Sequence, residues 1–415
     1  MMSERVILHL DINHCYAQIE EMLHPELRFI PMVVGGDPEK RHGIILAKNL
    51  LAKKFGIKTG EPLRDAMKKC PGLTVVPVHF EEYKYYTEKV KDIYRDYTDQ
   101  VESFGLDEAW IDVTRSAELH GDGETVAKII QERVKEEIGL TISIGVSYNK
   151  IFAKLGSDLI KPSGLVVISK QNYKEVAWPL PVEDLLYVGP ATHAKLARIG
   201  VKTIGELAQL PVQTMKTLIG KMGEIIWSFA NGDDTSVVDL TTFKREVKSV
   251  GNSITAVHDI KNLEEAKIVY QVLVESVASR LKDEKMKGSV ISVGLRDKNL
   301  VSFGRQRKID NPTNISDEIF KVVVELVKAS YDFKIPLRSV GVSVSMLEKD
   351  TNYTQLSLFV DEEKRLALKR LDMIVDNIRA KFGFDAIKRA SVIQDRVLTD
   401  FDPKGDHTIH PVSYF

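Results

Sequence analysis

The chain has 415 residues, which at roughly 150 residues per domain makes two to four compact units and excludes a minimal module. Its 43% apolar and 28% charged residues exclude disordered, collagenous and disulfide-dense classes. With 58 basic against 59 acidic residues the net charge is −1, so any surface for a polyanion has to come from uneven placement of charge. Cys15 and Cys70 form no CxxC pair, which argues against a zinc ribbon and for a reducing compartment. Apolar runs are strand-sized and Met1–Leu10 lacks the apolar core of a secretion signal, so a cytoplasmic protein with no membrane association is expected.

In chain order, Arg5–Leu10 is an apolar strand that ends at Asp11, and a helical pattern begins within His14–Met22. A carboxylate at that junction is well placed for a metal, and taken in isolation it reads first as a helix cap. Gly35–Gly36–Asp37–Pro38 reads as a turn; it superficially matches a cyclase motif but lacks the acidic pair which that motif requires. Val101–Thr114 contains two strand-like runs joined at Gly105–Leu106–Asp107–Glu108. Along a flat strand two successive acids face opposite ways, but at a hairpin apex beside a glycine they can converge, at a cost that cations would offset. With Asp11 they make three oxygen donors, a set suited to two Mg²⁺ ions about 3.5–4 Å apart. Ser143–Gly164 follows as strand, loop and a helix carrying Lys154 and Asp158, then Lys161–Pro162–Ser163–Gly164.

Leu185–Leu210 is two short helical patterns joined around Ile199–Gly200–Val201, a helix-hairpin-helix whose amides either hold a phosphate or only pack. Its first turn reads Gly189–Pro190–Ala191, where Pro190 offers no amide. Met222–Gly232 adds a further helix to this part. Between Lys244 and Lys349 there are 19 basic against 14 acidic residues, a local excess concentrated in Arg280–Lys287 and Arg296–Lys308. This stretch orders as strand Val247–Thr255, helix Leu263–Leu281, strands Ser289–Arg296 and Leu300–Arg305, helix Ser316–Ser330 and strand Ser339–Leu347. That is β-α-β-β-α-β, a four-stranded sheet backed by two helices. In the last strand Val340, Val342, Val344 and Met346 share one face, and Ser339, Gly341, Ser343 and Ser345 share the other, which is either open to a backbone ligand or simply solvated. Leu371, Ile374, Val375, Ile378 and Phe382 form a helical stripe near the end.

Five strings in register carry a family likeness: Asp11–Glu20 (DINHCYAQIE), Lys53–Gly60 (KKFGIKTG), Leu106–Asp112 (LDEAWID), Gly145–Gly164 (GVSYNKIFAKLGSDLIKPSG) and Gln355–Phe359 (QLSLF). On these residues the chain resembles the Y-family translesion DNA polymerases, the DNA polymerase IV and UmuC group, from Val6 to about Phe359. The resemblance implies an α/β (α+β multidomain) right hand. Its parts are a ferredoxin-like palm at 1–28 and 78–168, small fingers at 29–77, a helical thumb with the helix-hairpin-helix at 169–240, a βαββαβ little finger at 244–348, and a tail at 349–415.

The same resemblance implies site residues. Asp11, Asp107 and Glu108 would hold two Mg²⁺ ions, with Mn²⁺ as a substitute and the Ile12 carbonyl as a further ligand. Cys15, Tyr16, Lys53 and Lys161 would meet the incoming nucleotide, the two lysines by neutralising phosphate and Tyr16 as a steric gate beneath the deoxyribose. Gln355, Leu356, Leu358 and Phe359 would dock in the sliding clamp's pocket. A cytoplasmic, nucleoid-associated monomer is implied, acting on primer-template DNA and deoxyribonucleoside triphosphates with low processivity. The rival readings are a non-catalytic DNA-binding or clamp-associated protein that keeps the fold, and a metal-dependent nuclease or cyclase on a related palm. Two departures stand out: Gly105 replaces a usual Ser, and Leu50–Leu51–Ala52–Lys53 replaces Tyr-x-Ala-Arg, removing a phenol and a guanidinium from the expected triphosphate grip. At helical spacing neither Lys48 nor Lys54 shares the face of Lys53.

Overall fold

A computed structural model describes residues 4–36, 43–243, 246–351 and 361–405. The chain divides into two compact units, one within 4–36 and 44–243, the other within 246–405. The strings Gly35–Pro38, in part, and Gln355–Phe359, entirely, lie outside the described residues.

The first unit is built on β1 (Ile7–Ile12), followed by α1 (Cys15–Leu23). A small subassembly comes next: β2 (Met32–Gly35), β3 (Ile45–Lys48), α2 (Leu50–Lys54), α3 (Leu63–Lys69) and β4 (Thr74–Val76), with strand order β3-β2-β4. Asn49 ties it together. Its side-chain oxygen accepts from Ala52 N (2.8 Å) to cap α2 and from Met32 N (3.2 Å), while its amide donates to Ile30 O (2.9 Å) and Glu21 Oε1 (3.0 Å).

The long helix α4 (Phe80–Arg95) leads to the hairpin β5 (Val101–Phe104) and β6 (Glu108–Asp112), then α5 (Ala117–His120), α6 (Gly123–Arg133), β7 (Ile142–Ser147), α7 (Lys150–Leu159) and β8 (Leu165–Ile168). The sheet order is β5-β6-β1-β7-β8, with β1 antiparallel to both neighbours. The pleat sorts β1 cleanly. Leu8, Leu10 and Ile12 join the core packed with α1, α4 and α6, whereas Ile7 joins a second core with Ile151, Phe152 and Leu155 of α7. His9 and Asp11 therefore share Ile7's face, the one that α7 covers. Gly145 explains how closely α7 lies: a Cβ there would come 1.9 Å from the Ala153 carbonyl oxygen.

After α8 (Tyr173–Val176) come α9 (Pro190–Arg198), α10 (Ile204–Ala208), α11 (Val212–Ile219) and α12 (Lys221–Ala230). The helix-hairpin-helix expected at Leu185–Leu210 is α9 and α10. Its second turn differs from an open phosphate cradle, because Glu206 Oε2 already accepts from Lys202 N (2.7 Å) and Thr203 N (3.1 Å) in a capping box.

The second unit runs β9 (Ser249–Ile260), α13 (Leu263–Asp283), β10 (Met286–Asp297), β11 (Ser302–Thr313), α14 (Ser316–Ser330) and β12 (Leu337–Lys349), the β-α-β-β-α-β order read from the sequence. All neighbours in the sheet β11-β10-β12-β9 are antiparallel. Ile291, Val293, Leu295, Val340, Val342 and Val344 pack inward with the two helices. Met346 departs from expectation: it is 59% exposed and sits at φ 50°, which turns the alternation over so that Leu347 packs inward in its place. Arg307, in the basic stretch, pairs with Glu325 of α14 at 2.5 Å.

The unit closes with α15 (Glu362–Phe382) and α16 (Ala390–Ile393). The apolar stripe of α15 is not its buried side. Leu371, Ile374 and Phe382 are exposed while Asp372 is buried against Ser316. Ion pairs, from Arg379 to Glu275 and from Lys282 to Asp376, hold this helix to α13. Among the described residues no helix is long and apolar enough to cross a membrane.

Candidate active site

The strand register brings the N-terminal acid and the hairpin acids together. Asp11 is the direct cross-strand partner of Glu108, and His9 that of Trp110, so all four lie on the face covered by α7. The hairpin turn places Asp107 just before β6, with its carbonyl accepting from Ile12 N at 3.1 Å. Gly105 has φ +86°, a conformation that a side chain resists. The usual Ser is thus absent from a turn that calls for glycine. Lys91 of α4, 6% exposed, donates to the Gly105 carbonyl (3.3 Å) from beneath.

Helix α7 and the loop after it supply cations. Lys154 Nζ lies 2.5 Å from Glu108 Oε2, and Lys161 Nζ lies 2.5 Å from Asp11 Oδ2 and 2.8 Å from Asp158 Oδ1. His9 is fully buried, with Nε2 3.2 Å from Glu108 Oε2 and Nδ1 2.7 Å from Ser157 Oγ. Trp110 packs on its ring at a 5.0 Å centroid distance. Burial pushes the Asp107 carboxyl up to about 6, reinforced by the charges of Asp11 and Glu108. Burial likewise raises Asp11, although Lys161 opposes it. Burial would raise Glu108 too, but the adjacent His9 imidazole and Lys154 prevail and hold it down at about 2.

In these rotamers no three His, Cys, Asp or Glu side chains among the described residues close on a common point as metal ligands. The ammonium groups of Lys154 and Lys161 hold two of the acids instead. The donor set nonetheless fits divalent cations: hard oxygen donors whose burial, and after it mutual repulsion, raises Asp107 and Asp11.

Among the sequence-derived candidates, Asp11, Ile12, Asp107, Glu108 and Lys161 are brought together. Tyr16 is half-buried, stacked on Tyr83 at 4.5 Å between centroids and 10° between planes, with Phe80 edge-on at 6.0 Å. Tyr83 in turn donates to the fully buried Glu20 (2.5 Å). Cys15 is 4% exposed in the core below, its thiol pushed well above the ordinary range by burial and by Asp107 and Asp11. Lys53 and the 43%-exposed Leu50 lie on α2. The geometry corrects the expectation for Lys48. It ends strand β3 and does not belong to the helix, and its ammonium is depressed by burial and then by the positive charge of Lys53. His9, Ser157, Lys91 and Asn49 are additions that sequence reading missed; only Asn49, a capping residue ahead of a helical run, had a local signal.

Comparison with known proteins follows the same lines. Residues 10–158 match the impB/mucB/samB family and residues 247–358 its C-terminal domain. The chain is 46% identical over 395 residues to a DNA polymerase IV of Acetivibrio thermocellus, covering 95% of this chain and 99% of that one. It is 36% identical over 396 residues to a DNA polymerase IV of Clostridium kluyveri, covering 94% and 98%, and 35% identical over 398 residues to DNA polymerase IV 2 of Bacillus subtilis, covering 94% and 95%. A solved Y-family DNA polymerase chimera of Dbh and Dpo4 superposes with a TM-score of 0.73 at 21% identity, covering 82% of this chain and 98% of the chimera. With both family profiles matched in chain order and such identity over nearly the whole length, the chain belongs to the DNA polymerase IV group of the Y-family DNA-directed DNA polymerases.

Proposed function

We propose that the chain carries out template-directed nucleotidyl transfer at Asp11, Asp107 and Glu108, in low-processivity, error-prone synthesis across damaged template. The observation that carries this reading is the register pair Asp11–Glu108 with Asp107 alongside, a carboxylate cluster whose ammonium partners among the described residues are Lys154 and Lys161 and which is left with one acid at about 6. The family's dependence on a divalent metal is general; for this chain we assign two Mg²⁺ ions, with the Ile12 carbonyl as an added ligand. Bound there, the metal would supply charge for the attacking 3′-oxygen and the departing pyrophosphate.

The chain's own residues do the rest. Asp11 and Glu108 are held at fixed spacing by the β1–β6 pairing, and Lys161, on a carboxylate in this arrangement, is within the cluster where it can turn to a phosphate oxygen. Tyr16, backed by Tyr83, presents a rigid ring to the sugar. The palm, fingers, thumb and little-finger boundaries given above are our assignment of these parts, as are a monomeric state, a place at the nucleoid, and clamp docking through Gln355–Phe359. Primer extension on undamaged and lesion-bearing templates, with Mg²⁺ and with a chelator, tests the reading. Metal-dependent incorporation of one or a few nucleotides per binding event is expected; binding of primer-template without incorporation in any divalent metal would favour the non-catalytic alternative.

A further inference from the structure

We infer that Ser157 and His9 form a positioning relay that aims the Glu108 carboxylate, with His9 held as the tautomer protonated at Nε2. The inference rests on Glu108 being a metal-holding acid, but its first step stands without metal.

The argument is a count of protons. Ser157 Oγ has one, and two acceptors compete for it: His9 Nδ1 at 2.7 Å and the Lys154 carbonyl at 2.8 Å. If the hydroxyl donates to Lys154 O, His9 Nδ1 must carry the ring proton. Nε2 is then a bare lone pair 3.2 Å from the carboxylate oxygen of Glu108, a repulsive contact inside a fully buried site. If the hydroxyl donates to Nδ1, Nε2 carries the proton and points it at Glu108. Lys154 O loses little, because as a helix carbonyl it keeps its amide partner one turn on. An imidazolium would satisfy both contacts but would hold a full charge on a ring with no exposure to water.

Geometry supports the second arrangement in two further ways. Nε2 has no well-aligned hydrogen-bond acceptor among the described residues, so its one available partner is Glu108, reached by a small swing of the carboxylate. Both His9 and Lys154 lie on Oε2, and neither lies on Oε1, which leaves that oxygen for a cation. The fold provides the room: His9 pairs across β1–β7 with Gly145, and at Gly145 and Gly156 the helix comes so near the sheet that a Cβ on Gly156 would lie 3.1 Å from Gly145 Cα. Ser157 reaches the ring through that close approach. The relay is the carboxylate-side counterpart of partners that orient metal ligands from behind.

The test uses the full chain. In metal-free protein labelled with ¹⁵N-histidine, long-range ¹H–¹⁵N spectra should show the fully buried His9 as the neutral Nε2–H tautomer, and Ser157→Ala should shift it toward the Nδ1–H form or a mixture. Titration of Mn²⁺ by electron paramagnetic resonance then reads the consequence. Ser157→Ala and His9→Phe should each weaken binding about 10-fold, at the lower end of losses seen for outer partners of metal ligands, while His9→Gln, whose amide can occupy the Nε2–H position, should stay within about threefold. Ser157→Ala keeps the test alive if His9→Phe does not fold. An Nδ1–H tautomer in the parent chain, or Mn²⁺ binding by folded His9→Phe equal to the parent, overturns the relay. Unchanged Mn²⁺ binding by Glu108→Ala would overturn the site assignment itself, and with it the relay's purpose, whatever the tautomer.

Discussion

Two groups of buried acids in this chain are treated in opposite ways. In the second unit Glu275 receives Arg379 at 2.8 Å, Arg389 at 2.7 Å and the Gln271 amide at 3.0 Å, and Asp372 accepts both the amide (2.8 Å) and the hydroxyl (2.6 Å) of Ser316. Every strong donor there is directional, and each acid is shared by more than one. In the first unit Asp11 and Glu108 lean on single ammonium groups, and Asp107 makes no ion pair among the described residues and is pushed up to about 6. The first arrangement fastens a helix; the second keeps negative charge under-compensated where two strands meet. Excess charge of that kind costs stability and is retained where something else is to neutralise it.

The largest expected break in this comparison is catalytic. Asp107→Ala or Glu108→Ala should lower nucleotide incorporation about 10²–10³-fold or more, with primer-template affinity changed only a few-fold, since basic residues and not carboxylates supply phosphate binding. Single-turnover extension alongside a binding isotherm checks it, and near-normal extension by either variant at ordinary Mg²⁺ would sink the assignment. Glu275→Ala should do the converse. It removes the carboxylate partner of the largely buried Arg379, while Arg389 keeps Asp317, and should cost about 3–5 kcal/mol in the second unit's unfolding free energy, measured by denaturant titration, while Mn²⁺ affinity stays as in the parent.

A third outcome concerns sugar choice at the edge of the acid cluster. Tyr16→Ala should relax discrimination against ribonucleotides by up to ~10²-fold with little change in unfolding midpoint; unchanged discrimination in competitive incorporation assays would make Tyr16 a packing residue only.

The smallest effect sharpens the comparison by inverting its sign. Lys48 is lowered by burial and then by the positive charge of Lys53, on the stretch where Tyr-x-Ala-Arg is missing. Losing one phosphate hydrogen bond and weakening another costs on the order of 1–3 kcal/mol, or roughly 5- to 150-fold in nucleotide affinity. Because Lys48 returns part of this, a Leu50→Tyr, Lys53→Arg double mutant should lower the nucleotide KM several-fold, toward the small end of that range, and Lys48→Ala should raise it. Steady-state kinetics decide, and a KM indifferent to all three substitutions would assign the triphosphate to other donors.

Local pattern carried much of this into the sequence. The three acids, the hairpin at Gly105–Glu108 and the order of the second unit were legible because strand ends, glycine turns and period-two alternation are short-range signals. The His9–Ser157 contact was not, since 148 residues separate the partners and only the close helix–sheet approach at Gly145 joins them. Lys48 was misjudged by extending helical spacing one residue too far, across the Asn49 cap into a strand. Met346 and the stripe on α15 failed for a related reason: a periodic pattern names a face but does not say which face is covered. On α15 the buried ion pairs outweigh the apolar stripe.

Thermal unfolding of metal-free protein across pH, with and without added Mg²⁺, tests the claim that the acid cluster awaits a cation. A carboxyl raised from 3.8 to about 6 in the folded state binds more protons folded than unfolded between those values, so stability should fall as pH rises through that window and the deficit should persist at pH 7. There Mg²⁺ should raise the parent's midpoint by mass action. Asp107→Asn should be the more stable chain without metal and should gain much less from Mg²⁺. A parent midpoint indifferent to Mg²⁺ at pH 7, or an Asp107→Asn chain less stable than the metal-free parent, would contradict it.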